Sequence, residues 1–204
     1  MKLNEILKPS ELSPAVREYF KKYQVGGADN VGRHKEPTLE LLYFKDGKLV
    51  HDRPGYGTST YLSIGPKTGP LIPWEKFPLE IDGHPFMYIK FNNIIFDDLI
   101  DLPVASLHFT NCIFKSFKGV DTLKNEISTF QIYNEDLSRQ KPVGILSLAK
   151  LSTPDGCAPN VEYMNTDGKK LQDILVKYYW RDLKTIVELQ SELIDAGLDE
   201  YAKL

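Results

Sequence analysis

The sequence predicts an α/β protein: a short array of strand-plus-connector units in the middle, a β-hairpin-rich part before it and a helical cap after it. Three observations predict this. Three segments between Phe86 and Glu135 repeat one pattern, two apolar residues two apart with asparagine two further on: Ile89, Phe91 and Asn93; Leu107, Phe109 and Asn111; Phe130, Ile132 and Asn134. Residues two apart share one face of a strand, and asparagine favours the turn that leaves it. Asp46-Gly47 and Asp82-Gly83 each lie between β-rich runs, a strong short-range hairpin signal. Finally, Leu171, Ile174, Leu175 and Tyr178, then Ile186, Leu189 and Leu193, recur at helical spacing.

The chain divides into an N-terminal helix and loop (1–36), a β-hairpin region (37–85), the repeats (86–151) and the helical cap (152–204). With 204 residues and 42% hydrophobic content, one compact body is expected. Ser13 as cap, Pro14 at the first helical position and Val16, Tyr19 and Phe20 on one face predict the first helix, ending before Gly26 and Gly27. "VGGADNVGRHKEP" reads as a polar loop. Strands are expected near residues 38–45 and 48–52. The Gly- and Pro-dense stretch from Arg53 to Pro73 reads as a long exposed excursion of turns and short edge strands. "FPLEIDG" and "FMYIKF" form the second expected hairpin. After the array, Val143–Leu151 reads as a strand, "STPDGCAPN" as turns and "VEYMN" as another strand. Gly197 stops the last helix, and a short final turn follows.

The intervals from Ile89 to Leu107 and from Leu107 to Phe130 are unequal, but both fall around the ~20–29 residue period at which such units stack into a solenoid. Each unit then buries its face against its neighbours, and a terminal helix covers the open end. Asn93, Asn111 and Asn134 are expected to be buried turn residues that answer backbone groups inside the stack.

"LHFTNCIFKSFKGVDTL" resembles the divergent leucine-rich repeat of proteins from large tailed bacteriophages and some bacteria. Asn111, Phe114, Ser116, Phe117, Gly119 and Val120 match that repeat in order. "IKFNNIIFDDLIDLP" keeps Asn93, Phe96, Leu99, Leu102 and Pro103, with Asp98 and Asp101 in place of the serine and glycine; "FQIYNEDL" keeps the first half only. Leu193–Leu204 resembles the helical end piece that follows such arrays in phage proteins. The resemblance covers roughly two-fifths of the chain. It implies protein interaction and no activity beyond it.

A net charge of −3 and a pI near 5.8 argue against a general nucleic-acid binder, which needs excess Lys and Arg. Cys112 and Cys157 make neither a metal-ligand spacing nor a disulfide framework and fit a reducing cytoplasm. Lys2, Glu5 and Lys8 interrupt what would be a signal core, and no apolar run approaches the ~18 residues that span a bilayer.

The candidate sites are few. His34, His51, His84 and His108 repeat no zinc spacing and read as surface or turn histidines, and no metal or cofactor is expected. Cys112 reads as a packed turn residue. Gly55 and Gly57 beside Thr58, Ser59 and Thr60, with His51 and Arg53, would suit an anion, yet no Walker lysine follows. They echo ADP-ribosyltransferases, whose Glu-x-Glu is missing from the chain. Tyr43, Phe44, Lys45, Lys48, Arg53, Tyr56, Tyr61 and Lys67 mix aromatic and basic groups as single-strand grooves do, or else line the solvated face of a hairpin. Glu188, Glu192, Asp195 and Asp199 would share one face of the last helix if it ran past Gly197.

The expected function is a non-enzymatic protein-interaction factor of phage type, acting on a host or phage protein in the infected cell's cytoplasm. Its partner surface is expected at the excursion, on Arg53, Tyr56 and Tyr61, residue types enriched at interface centres. The alternatives are a nucleotide-using enzyme built on loop 51–63, and a minor virion or assembly component.

Overall fold

The structure is a computed structural model. It describes residues 9–29, 36–39, 42–45, 48–51, 60–81, 88–103, 106–119, 130–134, 146, 160–163, 166–179 and 182–203. Among these, three α-helices and three β-sheets make a mixed α/β fold.

Helix α1 (Pro14–Lys22) starts where its capping chemistry places it. Ser13 Oγ accepts the Val16 N–H at 3.4 Å, and Pro14 occupies a position whose N–H would have no helical partner. Tyr19 and Phe20 are buried, and Val16 packs partly against the same core. The glycine-bearing stretch that follows was expected as loop but opens with strand β1 (Gly26–Asp29). Gly26 is needed there because a Cβ would stand 2.8 Å from the backbone of Pro37 and Thr38, whose chain bridges to Gly27.

Strands β2 (Leu42–Lys45) and β3 (Lys48–His51) pair antiparallel, as the Asp46-Gly47 signal predicts. The excursion from Arg53 to Pro73 needs correction: its residues Thr60–Ile64 form β4, a strand inside the largest sheet, with Leu62 and Ile64 fully buried. β5 (Ile72–Pro73) follows. The second hairpin is a further correction. β6 (Glu80–Ile81) pairs parallel with β3, whereas β7 (Ile89–Asn92) lies between β4 and β9 (Leu107–Thr110), parallel to both. Ladders on both sides of β7 satisfy its backbone without β6, and Asp82-Gly83 itself lies outside the described residues.

After β8 (Ile94–Phe96), β10 (Ile113–Phe114), β11 (Phe130–Asn134) and β12 (Asn160–Tyr163), the large sheet has the order β1-β4-β7-β9-β11-β12, all parallel from β4 onward. A second sheet, β10-β8-β5, is also parallel, and β2-β3-β6 forms the third. Register puts Ile64, Phe91, Phe109 and Ile132 in one column, all at most 1% exposed. The phenyl rings of Phe91 and Phe109 stack at 5.2 Å, and those of Phe96 and Phe114 on the second sheet at 5.4 Å. The two stacks meet edge to face, Phe91 to Phe96 and Phe96 to Phe109 both at 89°, so the core between the sheets is a ring lattice. Tyr23 and Trp74 extend it toward α1.

The columns also place the asparagines. Asn93 and Asn111 each follow the registered pair Asn92 and Thr110, and Asn134 follows Tyr133, the partner of Thr110. Asn93 and Asn111 have φ of 51° and 53°, a left-handed turn that asparagine tolerates better than most residues. The Asn93 amide donates to the carbonyls of Pro66 at 2.8 Å and Lys67 at 3.2 Å, and that of Asn134 donates to Cys112 at 3.0 Å. Asn93 and Asn134 are buried; Asn111, expected buried, is only partly so.

Helix α2 (Thr166–Tyr179) packs on β12 and on α3 (Ile186–Asp195) through Leu171, Ile174 and Leu175 on one side and Leu189 and Leu193 on the other. Thr185 and Glu188 form a reciprocal capping box. Gly197, at φ 75°, ends the helix, and a short 3-10 turn (Asp199–Ala202) follows. The acidic stripe therefore does not form: Asp199 lies beyond the helix, Glu188 caps it, and Glu192 pairs with Lys177. Of the strand expected over Val143–Leu151, only Leu146 is described, and it is buried.

Candidate functional site

Alternation along parallel strands sends every second side chain away from the core. On β7, β9 and β11 those residues are Lys90, then His108 and Thr110, then Gln131 and Tyr133, with Tyr88 just before β7. Together they line a shallow notch of about 270 Å³ on the outer face of the large sheet.

One side of the face is an aromatic ledge. Tyr61 stacks on Tyr88 at 4.9 Å and 5°, and Tyr88 on His108 at 4.0 Å and 6°. Burial holds His108 down at about 4, with the positive charge of Lys90 adding to the effect. Near neutral pH the imidazole is therefore uncharged and offers one donor and one acceptor. Lys90 is half-buried, and its pKa is lowered by that burial and then by the charge of Lys67. Across the notch Tyr133 is 40% exposed. No described residue lining the notch is a carboxylate. The described lining carries one cation, an imidazole, the hydroxyls of Thr110, Tyr88 and Tyr133, an amide and flat aromatic surface, which suits binding.

The sequence-predicted residues are distributed otherwise. Arg53 and Tyr56, the Gly55–Thr60 loop up to residue 59, His34, His84 and Cys157 lie outside the described residues. Tyr61 is in β4, half-buried against Tyr88, and so belongs to the sheet face and not to an exposed excursion. His108, expected as a surface or turn residue, is on a strand within the ledge. Phe44 is buried and Lys48 pairs with Glu80, so those members of the aromatic-basic set do not reach the notch; Lys67 pairs with Glu36 and its charge is felt at Lys90. Cys112 is fully buried, its thiol donating to the carbonyls of Thr110 and Phe91, and burial pushes it up to about 12. Among the described residues no group of three His, Cys, Asp or Glu could hold a metal ion.

Sequence reasoning missed Tyr88, Lys90, Gln131 and Tyr133. The signal was present: Lys90, His108 and Gln131 are the residues between the two apolar ones in each of the three matched segments. No helix of the described residues is long and apolar enough to cross a membrane. The chain matches no family model, no curated protein and no solved structure.

Proposed function

We propose that this protein is a non-enzymatic interaction factor of phage type, built on a short leucine-rich-like array with a helical cap, and that it binds a host or phage protein in the cytoplasm of the infected cell. The observation that carries the proposal is the outer face of the large sheet, where Tyr61, Tyr88, His108 and Tyr133 present aromatic surface beside Lys90. Aromatic side chains ringed by polar groups are the residue types that concentrate binding energy in protein interfaces. Parallel strands hold these side chains on a rigid platform, so little ordering entropy opposes association.

The test is affinity purification from phage-infected cells with the wild-type chain beside the Tyr88→Ala/Tyr133→Ser double variant, both checked for folding by circular dichroism. A partner recovered by the wild type and lost by the variant supports the face. Equal recovery by both would move the interface elsewhere.

A further inference from the structure

Lys90 is half-buried on the outer face of the large sheet. Lys22, Lys48, Lys67, Lys76 and Lys115 each pair with a carboxylate. Lys90 is more enclosed than these, yet its described surroundings are His108, Tyr88 and a second cation, Lys67, with no acid among them. A half-buried ammonium with no acid among its described neighbours is costly, and a carboxylate brought to it by a ligand relieves that cost with a charge-assisted hydrogen bond.

The shape of the notch limits what the ligand can be. About 270 Å³ on an open sheet face is too shallow to enclose a drug-sized molecule, for which pockets of ~300–1,000 Å³ are usual. A nucleic acid would draw on several cations spaced along its backbone, whereas among the described lining residues Lys90 is the single cation and the nearby Lys67 is already paired with Glu36. What remains is a chain lying across the strands. Lys90 on β7 and Tyr133 on β11 are separated by β9 and offset by two residues, roughly 12 Å at the usual ~4.8 Å strand spacing and ~3.3 Å rise, which extended peptide covers in about three to four residues. Between them Thr110, His108 and Gln131 offer hydrogen bonds to a peptide backbone.

Resting on the reading of this face as the partner surface, we infer that it takes an extended segment of a protein partner. In that segment an Asp or Glu meets Lys90, and an apolar or aromatic residue about three to four positions away rests on Tyr133. The carboxylate supplies the acid that the described lining lacks, and the ring of Tyr133 supplies the apolar contact.

The experiment selects a displayed random heptapeptide library on the full chain, then measures the winning peptides by calorimetry against wild type, Lys90→Gln, Tyr88→Ala and Tyr133→Ala. Enrichment of an acidic residue about three to four positions from an apolar one is expected. Lys90→Gln should weaken the best peptide at least about tenfold, and exchanging the peptide's Asp for Asn should cost as much in wild type and nothing further in Lys90→Gln. Winning peptides without an acid that still depend on Tyr133 would overturn the acidic segment and keep the face. Peptides indifferent to all three substitutions, or no enrichment at all, would overturn the face as well. A single-stranded oligonucleotide that displaces the peptides and itself depends on Lys90 would assign the anion to phosphate and overturn the inference.

Discussion

The imidazole of His108 lies 4.0 Å from the ring of Tyr88, centroid to centroid, with 6° between their planes. That contact removes water from one side of the imidazole, while Lys90 disfavours a second positive charge beside it. His108 should therefore remain neutral well below the ordinary histidine range, titrating at about 4. The unfolded chain takes up its proton near pH 6.5, so it binds more protons than the folded chain between these values. The contribution of His108 to stability is present above pH 6.5 and is lost as pH falls toward 4. Melting temperatures measured across that window should drop less in His108→Asn than in wild type. A proton-NMR titration midpoint near 6.5 for His108 would refute the account.

Asn93 combines a left-handed backbone with two carbonyl contacts. Asn93→Ala loses both advantages and should cost about 1–3 kcal/mol. Asn93→Gly keeps the backbone freedom and should cost less. Asn111 shares the backbone conformation but is less buried, so Asn111→Leu should be destabilising mainly through strain at φ 53°. Urea denaturation of the three variants ranks them; an alanine variant as stable as the glycine one would remove the conformational argument.

The C-terminal helices place Leu189 and Leu193, both fully buried, against the core next to Leu171 and Leu175. Deleting residues 182–204 uncovers that surface and should give aggregation or loss of cooperative unfolding. A truncated chain that stays monomeric in sedimentation and melts as sharply as the full chain would show that α3 contributes little. The milder change Thr185→Ala breaks the capping box alone and should cost about 1 kcal/mol.

Cys112 should resist modification. Its thiol is fully buried, hydrogen-bonded to carbonyls and pushed up to about 12, so almost no thiolate exists at neutral pH. In a Cys157→Ser background, labelling by a thiol reagent should follow the rate of unfolding. Rapid labelling of the native protein would contradict the buried position.

The parts of the fold legible in the sequence were those set by local chemistry. Ser13-Pro14 gave the start of α1, helical spacing gave α2 and α3, Gly197 gave the stop, and apolar pairs two apart gave β7, β9 and β11. What escaped depended on partners distant in the chain. β4 looked like an exposed excursion because glycines and prolines surround Leu62 and Ile64, whose burial follows from pairing with β7. β1 was hidden by Gly26, a residue chosen for the approach of Pro37. The alternation marks Lys90, His108 and Gln131 as one outward row, but what surrounds them was hidden for the same reason. Nothing in the order of residues announces that Tyr88 leans onto His108 or that no described acid lies beside Lys90, since both follow from register.

The order of strands in the large sheet has a consequence for how such a chain can grow. From β4 to β12 each strand pairs with the next member of that sheet along the chain, always parallel, so no segment has to pass between others to reach its place. A duplicate of residues 89–106 inserted after Ser106 would meet on either side the neighbours that β7 and β9 already offer one another. Lengthening by whole units therefore requires no rethreading of the chain, and the outer face widens by one strand with each insertion while the two ends keep their own chemistry.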